Sequence, residues 1–343
     1  KSSSTMDLQK DEDAVALELA KTCSIVGSSV DTELLFELKE ERTRLQIKLD
    51  FFRVRHCRDT EQTLCMAPVS GPSVGELSRM YMSYCSLEDR YSLLSESDLV
   101  GISPANRRIL VDWMVRVHEN FGYGNASLEG AFSILNRFCS VSQDVTARNL
   151  QLYGVAALLI STKFYDHEEL RLPMCSALTA NSWSPDQIAA AEVRILDVLG
   201  FNIMLPTAGV IVDLIVKACL LPEGVRDFSN YLVQKSLTET SVLHFRPSLL
   251  AASCIFVSLK SLRCSEDTDV LLGRILKFSR LELDELEISA DAVNVVALAP
   301  AHTTRTKRKL DAVERKFAPI LKRHVALSDM KEEGRFSADN ASS

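Results

Sequence analysis

From residue 74 to about residue 325, apolar residues recur at the three- and four-residue spacing of helices that bury one face, and no stretch alternates apolar and polar residues as a half-covered strand would. The spacing predicts helices over 74–86, 105–121, 127–140, 145–164, 172–180, 185–199, 206–219, 224–240, 246–262 and 267–278. Start and stop signals fall at several of these ends. Ser103-Pro104 and Ser184-Pro185 each pair a capping side chain with a proline for the first turn, and Gly200 follows the run that ends at Leu199. The clearest amphipathic element is Arg107 to Phe121, where Ile109, Trp113, Val117 and Phe121 recur every four residues with Leu110 and Met114 beside them. Its other face carries Arg108, Asp112 and Arg116, spaced so that each neighbouring pair is expected to meet, and Trp113 is expected to be half covered.

Two segments are apolar nearly all round, Leu152 to Thr162 and Leu249 to Leu259, and each holds a pair of alanines, Ala156-Ala157 and Ala251-Ala252. Helices of that kind belong at the centre of a bundle, so two tandem helical domains are expected. Both apolar runs are shorter than the roughly 20 residues that cross a bilayer, and no membrane partner is expected. The expected fold is all-α. Residues 1–73 form an N-terminal segment, partly helical or disordered, with helical composition at Asp11–Lys21 and Thr32–Phe52 and a linker at Pro68–Gly75. A first domain with a preceding helix is expected over 74–204, a second over 205–327, and a disordered polar tail over 328–343.

Charge and cysteine usage narrow the function. A net charge of −7 over 343 residues argues against a nucleic-acid partner, because neutralising phosphates takes a concentrated basic surface. The short basic cluster of Arg305, Lys307, Arg308 and Lys309 is more often a solvated helix start than a nuclear address. The nine cysteines are scattered singly with no Cys-x-x-Cys pair, as reduced thiols of a cytosolic or nuclear protein are, and no metal or cofactor is expected. No glycine-rich phosphate loop, metal-spaced His and Cys set, or Gly-x-Ser-x-Gly turn is present, so the chain is expected to be non-catalytic. One polar pair stands out. Lys163 ends the most apolar helix, where a buried ammonium would need a partner, and Glu192 could reach it if the two helices pack side by side. On spacing alone, a structural or solvated ion pair is the plainer reading.

The order Arg107, Ile109, Leu110, Val111, Asp112, Trp113 resembles the first helix of the cyclin box. The resemblance continues in sequence through LNRF at Leu135–Phe138, LQLYGVAALLISTKF at Leu150–Phe164, AEVRIL from Ala191 and LGFNIMLPT at Leu199–Thr207. VGELSRMYMSYC from Val74 and HENFGY at His118–Tyr123 are similar to the B-type (mitotic) branch. The chain is identified as a divergent member of the cyclin family. That implies two five-helix domains, an additional N-terminal helix, and a regulatory subunit that activates a cyclin-dependent protein kinase in cell-cycle progression at the G2/M transition, in nucleus and cytoplasm. A helical scaffold that binds partners without activating a kinase is the alternative.

The resemblance also assigns roles. Lys163 and Glu192 match the polar centre of the kinase-binding surface, with Leu77, Met80, Phe164, Phe201 and Ile203 as its apolar surround. Ile109, Leu110, Trp113, Leu150 and Gln151 match the groove that docks Arg-x-Leu peptides of substrates or inhibitors, and Leu152 matches a structural position. This chain departs from the pattern at Asn106, Arg108 and Arg116. A cationic Arg116 is expected to repel an arginine peptide and so to weaken or alter docking. Asn136 stands where the family pairs an aspartate with the arginine matching Arg107; an amide can accept that hydrogen bond but supplies no compensating charge. Tyr165 occupies a position where the family usually has a glutamate.

Overall fold

The structure, a computed structural model, describes residues 72–88, 94, 98–99, 102–142, 144–168, 170–262, 267–304, 309–320 and 322. The expectations for 1–71 and for the tail from 323 lie outside the described residues. Among the described residues, eleven helices follow one another before a short ladder: α1 Val74–Glu88, α2 Pro104–Phe121, α3 Asn125–Val141, α4 Leu150–Tyr165, α5 Leu172–Leu178, α6 Pro185–Val198, α7 Ala208–Cys219, α8 Glu223–Ser236, α9 Pro247–Ser261, α10 Thr268–Ser279 and α11 Leu283–Leu298. A two-residue ladder, β1 His302–Thr303 with β2 Lys309–Leu310, and a helical stretch over 312–320 are the last described elements.

Local chemistry accounts for the helix ends. Ser103 caps α2 by accepting from the Asn106 N–H, with Pro104 in the first turn, and Gly122 closes the helix in the left-handed conformation at φ 62°. Ser184 and Gln187 form a reciprocal capping box at the start of α6. Helix α4 starts at Leu150 rather than at 145, because the Asn149 side chain accepts from Thr146 N–H and donates to the Asp144 carbonyl, holding 144–149 in turns. Helix α8 ends at Ser236 rather than at 240.

Two cores form. The first gathers α2 to α6, with Gly154 to Thr162 of α4 buried in sequence at its centre and Leu152 packed half-buried on its edge. The second gathers α7 to α11 around α9, buried from Leu249 to Leu259 apart from half-covered Leu250. The two flanking helical stretches are exchanged between them. Leu77 and Tyr81 of α1, the helix that precedes the first domain in sequence, belong to the second core, and the Tyr81 hydroxyl donates to the Ser279 carbonyl at the end of α10. Conversely, Ala312, Val313 and Phe317 fill the first core. Polar bonds fix that last stretch to both domains: the Ala312 N–H donates to Asp112 Oδ1 at 2.9 Å, Lys235 pairs with Glu314, and Lys316 Nζ donates to Asn125 at 3.1 Å and to Gln234 at 2.9 Å.

Helix α11 is absent from the periodicity-based expectation. Leu286, Ala290, Val293 and Val296 are its buried stripe, but Ile288, Val295 and Leu298 are more than two-thirds exposed and blur the pattern on the opposite side. On α2 the buried stripe is rotated from the expected one. Leu110, Val111, Met114, Val115, Val117 and Phe121 face the core and Ile109 is exposed, while Trp113 is half-buried as expected.

Candidate functional site

Lys163 stands in the last turn of α4, and Glu192 stands in the middle of α6, which packs alongside it. Their side chains meet at 2.6 Å from Nζ to Oε1, so the pairing expected from spacing forms. Its setting differs from the expectation of a buried ammonium: the Lys163 side chain is 39% exposed and that of Glu192 15%. The α4 axis carries the last turn out of the core, and the pair lies on the surface with the buried thiol of Cys175 behind it, pushed up to about 12 by burial first and by the Glu192 carboxylate next. A lone exposed ion pair stabilises a fold by roughly 0–1 kcal/mol. Its value for stability is therefore small.

Four of the five apolar residues expected around the pair keep some exposure. Phe164 follows Lys163 directly and is 44% exposed, stacked edge-on against Tyr165 at 4.9 Å between centroids. Phe201 is 68% exposed and held at φ 58° immediately after Gly200 at φ 56°, so two consecutive left-handed residues turn the chain out of α6 and project the ring. Ile203 is half-buried against the first core, and Met80 on α1 is 44% exposed. Leu77 does not belong with them. At 4% exposure inside the second core, it is a packing residue of α1 and has no surface to offer a partner.

Tyr165 takes a structural part. Its hydroxyl donates to the Leu205 carbonyl at 3.0 Å, and burial pushes the phenol up to about 12, with Tyr84 of α1 adding to the shift. Room for the ring exists because residue 130 is glycine: a Cβ there would lie 2.5 Å from Tyr165 Cε2 and 2.7 Å from Ser161 Oγ.

Of the five groove residues, Ile109 is exposed, Trp113 and Gln151 are half-covered, and Leu110 and Leu150 are buried at 6% and 5%. Charges around them are internally satisfied. Arg116 is bound to Asp112 at 2.8 Å and reaches Asp311 at 3.4 Å, so its cation faces two carboxylates of its own chain instead of standing open to repel a peptide. Arg108 turns away from Asp112 to Glu239 at 2.7 Å, where His302 also joins at 2.9 Å. The expected Arg108–Asp112 contact gives way because Glu239, from the second domain, offers a bidentate partner.

Arg107 and Asn136 do meet. Arg107 Nη1 donates to Asn136 Oδ1 at 2.5 Å and Nη2 to the Leu237 carbonyl at 3.2 Å. Burial lowers the guanidinium to about 10, since no carboxylate bonds to it directly. Glu129 escaped the sequence reading. It sits on the buried face of α3 and its Oε2 accepts from the Gly209 N–H at 2.8 Å, in the first turn of α7. Its only signal in the chain is an acid inside an apolar run, NASLEGAFSIL. Among the described residues, no three His, Cys, Asp or Glu side chains converge as a metal site, and no helix is long and apolar enough to cross a membrane.

Two successive helical domains, each packed around a nearly all-apolar central helix and joined through α1 and the helix over 312–320, define the class of fold. The cyclin N-terminal domain family matches residues 79–204 and the cyclin C-terminal domain family matches residues 212–331, and the chain belongs to the cyclin family. It is 29% identical over 232 residues to cyclin-B2-1 of Oryza sativa subsp. japonica, which covers 64% of this chain and 54% of that protein. It is also 29% identical over 230 residues to cyclin-A2-2 of Arabidopsis thaliana, covering 64% and 51%. The chain thus spans about half the length of these relatives. A viral cyclin from herpesvirus saimiri is similar at 20% identity with a TM-score of 0.49, covering 65% of this chain and 97% of the viral one.

Proposed function

We propose that this chain is a non-catalytic regulatory subunit that binds and activates a cyclin-dependent protein kinase in cell-cycle control, at the G2/M transition, in nucleus and cytoplasm. The observation that carries this reading is the solvent-facing Lys163–Glu192 pair, with exposed Phe164 beside it and Phe201 projecting from the turn after α6. An apolar surface with a polar centre suits a partner that covers it: aromatic and Met side chains exclude water, and the enclosed charges then bond the partner's backbone in a low dielectric. The first domain packs on the kinase's mobile regulatory helix and shifts it into the position that forms the ATP-orienting Lys–Glu pair of the kinase. Binding free energy is thereby converted into a population shift of a two-state enzyme. Similarity to B-type and A-type cyclins supports the reading. Docking of Arg-x-Leu peptides on the α2 and α4 groove is the finer part of the proposal, with Ile109 and Trp113 as its accessible apolar residues.

The test is phosphotransfer by a purified mitotic cyclin-dependent kinase with the chain, comparing wild type with Lys163→Ala and Glu192→Ala. Truncating one member of a buried interfacial charge pair costs 2 kcal/mol or more, so kinase affinity should fall at least about 30-fold in each variant. Thermal stability of the free chain should barely change. Tight binding without activation would instead support the scaffold reading, and absence of binding would falsify the partner assignment.

A further inference from the structure

A cavity of about 170 Å³ lies between the two domains, outside the kinase-facing surface. Its apolar wall comes from both sides, Phe132 of α3 facing Val233 of α8 and Leu250 of α9, and Leu94, Arg137 and Phe245 stand half-buried along it. An apolar cavity of roughly 150 Å³ accommodates a benzene ring, so this one has room for a ring with a short substituent. Its polar lining is unbalanced. Three arginines, Arg107, Arg137 and Arg246, contribute to it against two glutamates, Glu88 and Glu129. Glu88 is engaged through both oxygens, accepting from Ser248 N–H and hydroxyl at 2.7 and 2.6 Å. Glu129 accepts from Gly209 through Oε2, leaves Oε1 without a hydrogen-bond partner among the described residues and is pushed by burial up to about 7, toward its neutral form. Arg246 pairs with Glu285 at 3.3 Å and Arg137 donates to the Asn202 carbonyl, which leaves Arg107 as the uncompensated cation. Arg107 is the deepest cation, 4% exposed, bonded directly only to an amide oxygen and a backbone carbonyl. Its Nε–H and the Ser236 hydroxyl, both part of this lining, have no hydrogen-bond partner in the protein among the described residues. A buried guanidinium without a bonded carboxylate, beside an apolar space of ring size, is what an organic anion would complete.

We propose that the interdomain cavity binds a small aromatic or branched-aliphatic monocarboxylate, its apolar body among Phe132, Val233 and Leu250 and its carboxylate against Arg107 and Ser236. A carboxylate supplied from outside does for Arg107 what Asn136 does not: it compensates the charge as well as accepting the bond. Because the ligand touches both domains, it also stabilises their mutual arrangement by mass action. The inference does not depend on the kinase assignment.

Phenylacetate and its neutral isostere phenylacetamide are the probes, titrated into the full chain by calorimetry with ligand-observed NMR alongside. Phenylacetate should bind saturably and at least about tenfold more tightly than the amide, the margin of one charge-assisted hydrogen bond. Asn136→Asp places a carboxylate on Arg107 from within and should erase that preference. Ser133→Phe, which introduces a ring at a half-buried cavity position, should abolish binding of both probes while leaving the circular dichroism spectrum unchanged and serves where Asn136→Asp disturbs folding. Equal affinity for acid and amide in the wild type, no saturable binding of either, or undiminished binding in a folded Ser133→Phe protein would each overturn the proposal.

Discussion

Glu129 Oε2 accepts a 2.8 Å hydrogen bond from the Gly209 backbone N–H, tying the middle of α3 in the first domain to the first turn of α7 in the second. The carboxyl is wholly buried, and desolvation, opposed by that hydrogen bond, pushes it up to about 7 from an ordinary value of 4.5. A raised acid favours the protonated form in the fold. Stability from this group is therefore complete below about pH 4.5 and declines as pH rises toward 7. Glu129→Gln keeps an acceptor for Gly209 and cannot ionise, so its stability relative to wild type should rise across that interval, by about 3 kcal/mol at most. Urea unfolding at pH 5 and pH 7.5 measures it; an unchanged difference between the two proteins at both values would contradict the buried, ionisable assignment.

Gly209 is itself constrained by this contact. A Cβ at that position would stand 2.4 Å from Glu129 Oε1 and 3.0 Å from Oε2, so the carboxyl group must shift and its hydrogen bond from the Gly209 N–H is disturbed. Gly209→Ala is expected to destabilise the chain by about 1–3 kcal/mol, the ordinary range for overpacking. Combining it with Glu129→Ala should recover most of that loss, and a strictly additive double mutant would show that the two residues do not compete for the same volume.

Phe317 lies in the sequence within the second domain yet is 3% exposed in the first core, with its ring 5.7 Å from Tyr231 of α8. Phe317→Ala should cost about 3–5 kcal/mol by emptying that site. Hydrogen exchange should speed up in α2 of the first domain. Acceleration confined to α9 and α11 would place the contribution of this residue in the other core.

Phe201 gives the opposite profile. At 68% exposure it contributes little to the core, so Phe201→Ala should change the unfolding free energy by less than about 0.5 kcal/mol. If it meets the kinase as proposed, the same change should weaken the complex at least about fivefold, the loss of roughly 1 kcal/mol that marks an energetically significant interface residue. Surface plasmon resonance against the kinase separates these two quantities, and unaltered affinity would remove Phe201 from the interface.

His118 shows how burial reverses the direction of pH dependence for a base. Desolvation first and Lys316 second lower it to about 3, while its Nε2 lies 2.8 Å from the Gly124 carbonyl. With the folded value below the ordinary 6.5, the neutral ring is the stable form, and its contribution is kept above about pH 6.5 and lost as pH falls toward 3. His118→Asn should therefore flatten the acid limb of the stability profile, measured by thermal melts between pH 4 and 7. An acid limb as steep as that of wild type would assign it to other groups.

Much of the architecture is readable in the chain because helix period and helix ends are local. The run LQLYGVAALLISTKF has no polar face to present and must be central, and Ser103-Pro104 and Ser184-Pro185 mark α2 and α6 to within a residue. The Lys163–Glu192 contact was legible as a possibility conditional on the two helices packing side by side, a condition the structure meets. Where local signals conflict, the reading fails. Ile288, Val295 and Leu298 on the outer side hid α11, since periodicity counts apolar residues without knowing which are covered. The stripe on α2 was misplaced for the same reason, with Ile109 counted as core and Val111 and Val115 left out.

The two central helices, the all-α class and most helix positions follow from the order of residues alone, because each depends on spacings of a few positions. Which core takes α1 and which takes the 312–320 helix, the turning of Arg108 to Glu239, the neutralising of Arg116 by Asp311 and the burial of Leu77 depend on segments 130 to 200 positions apart meeting in space. Such contacts are set by which apolar faces remain uncovered after the local helices form and by which charges then find a partner within reach. That selection is made only when the two domains close on one another.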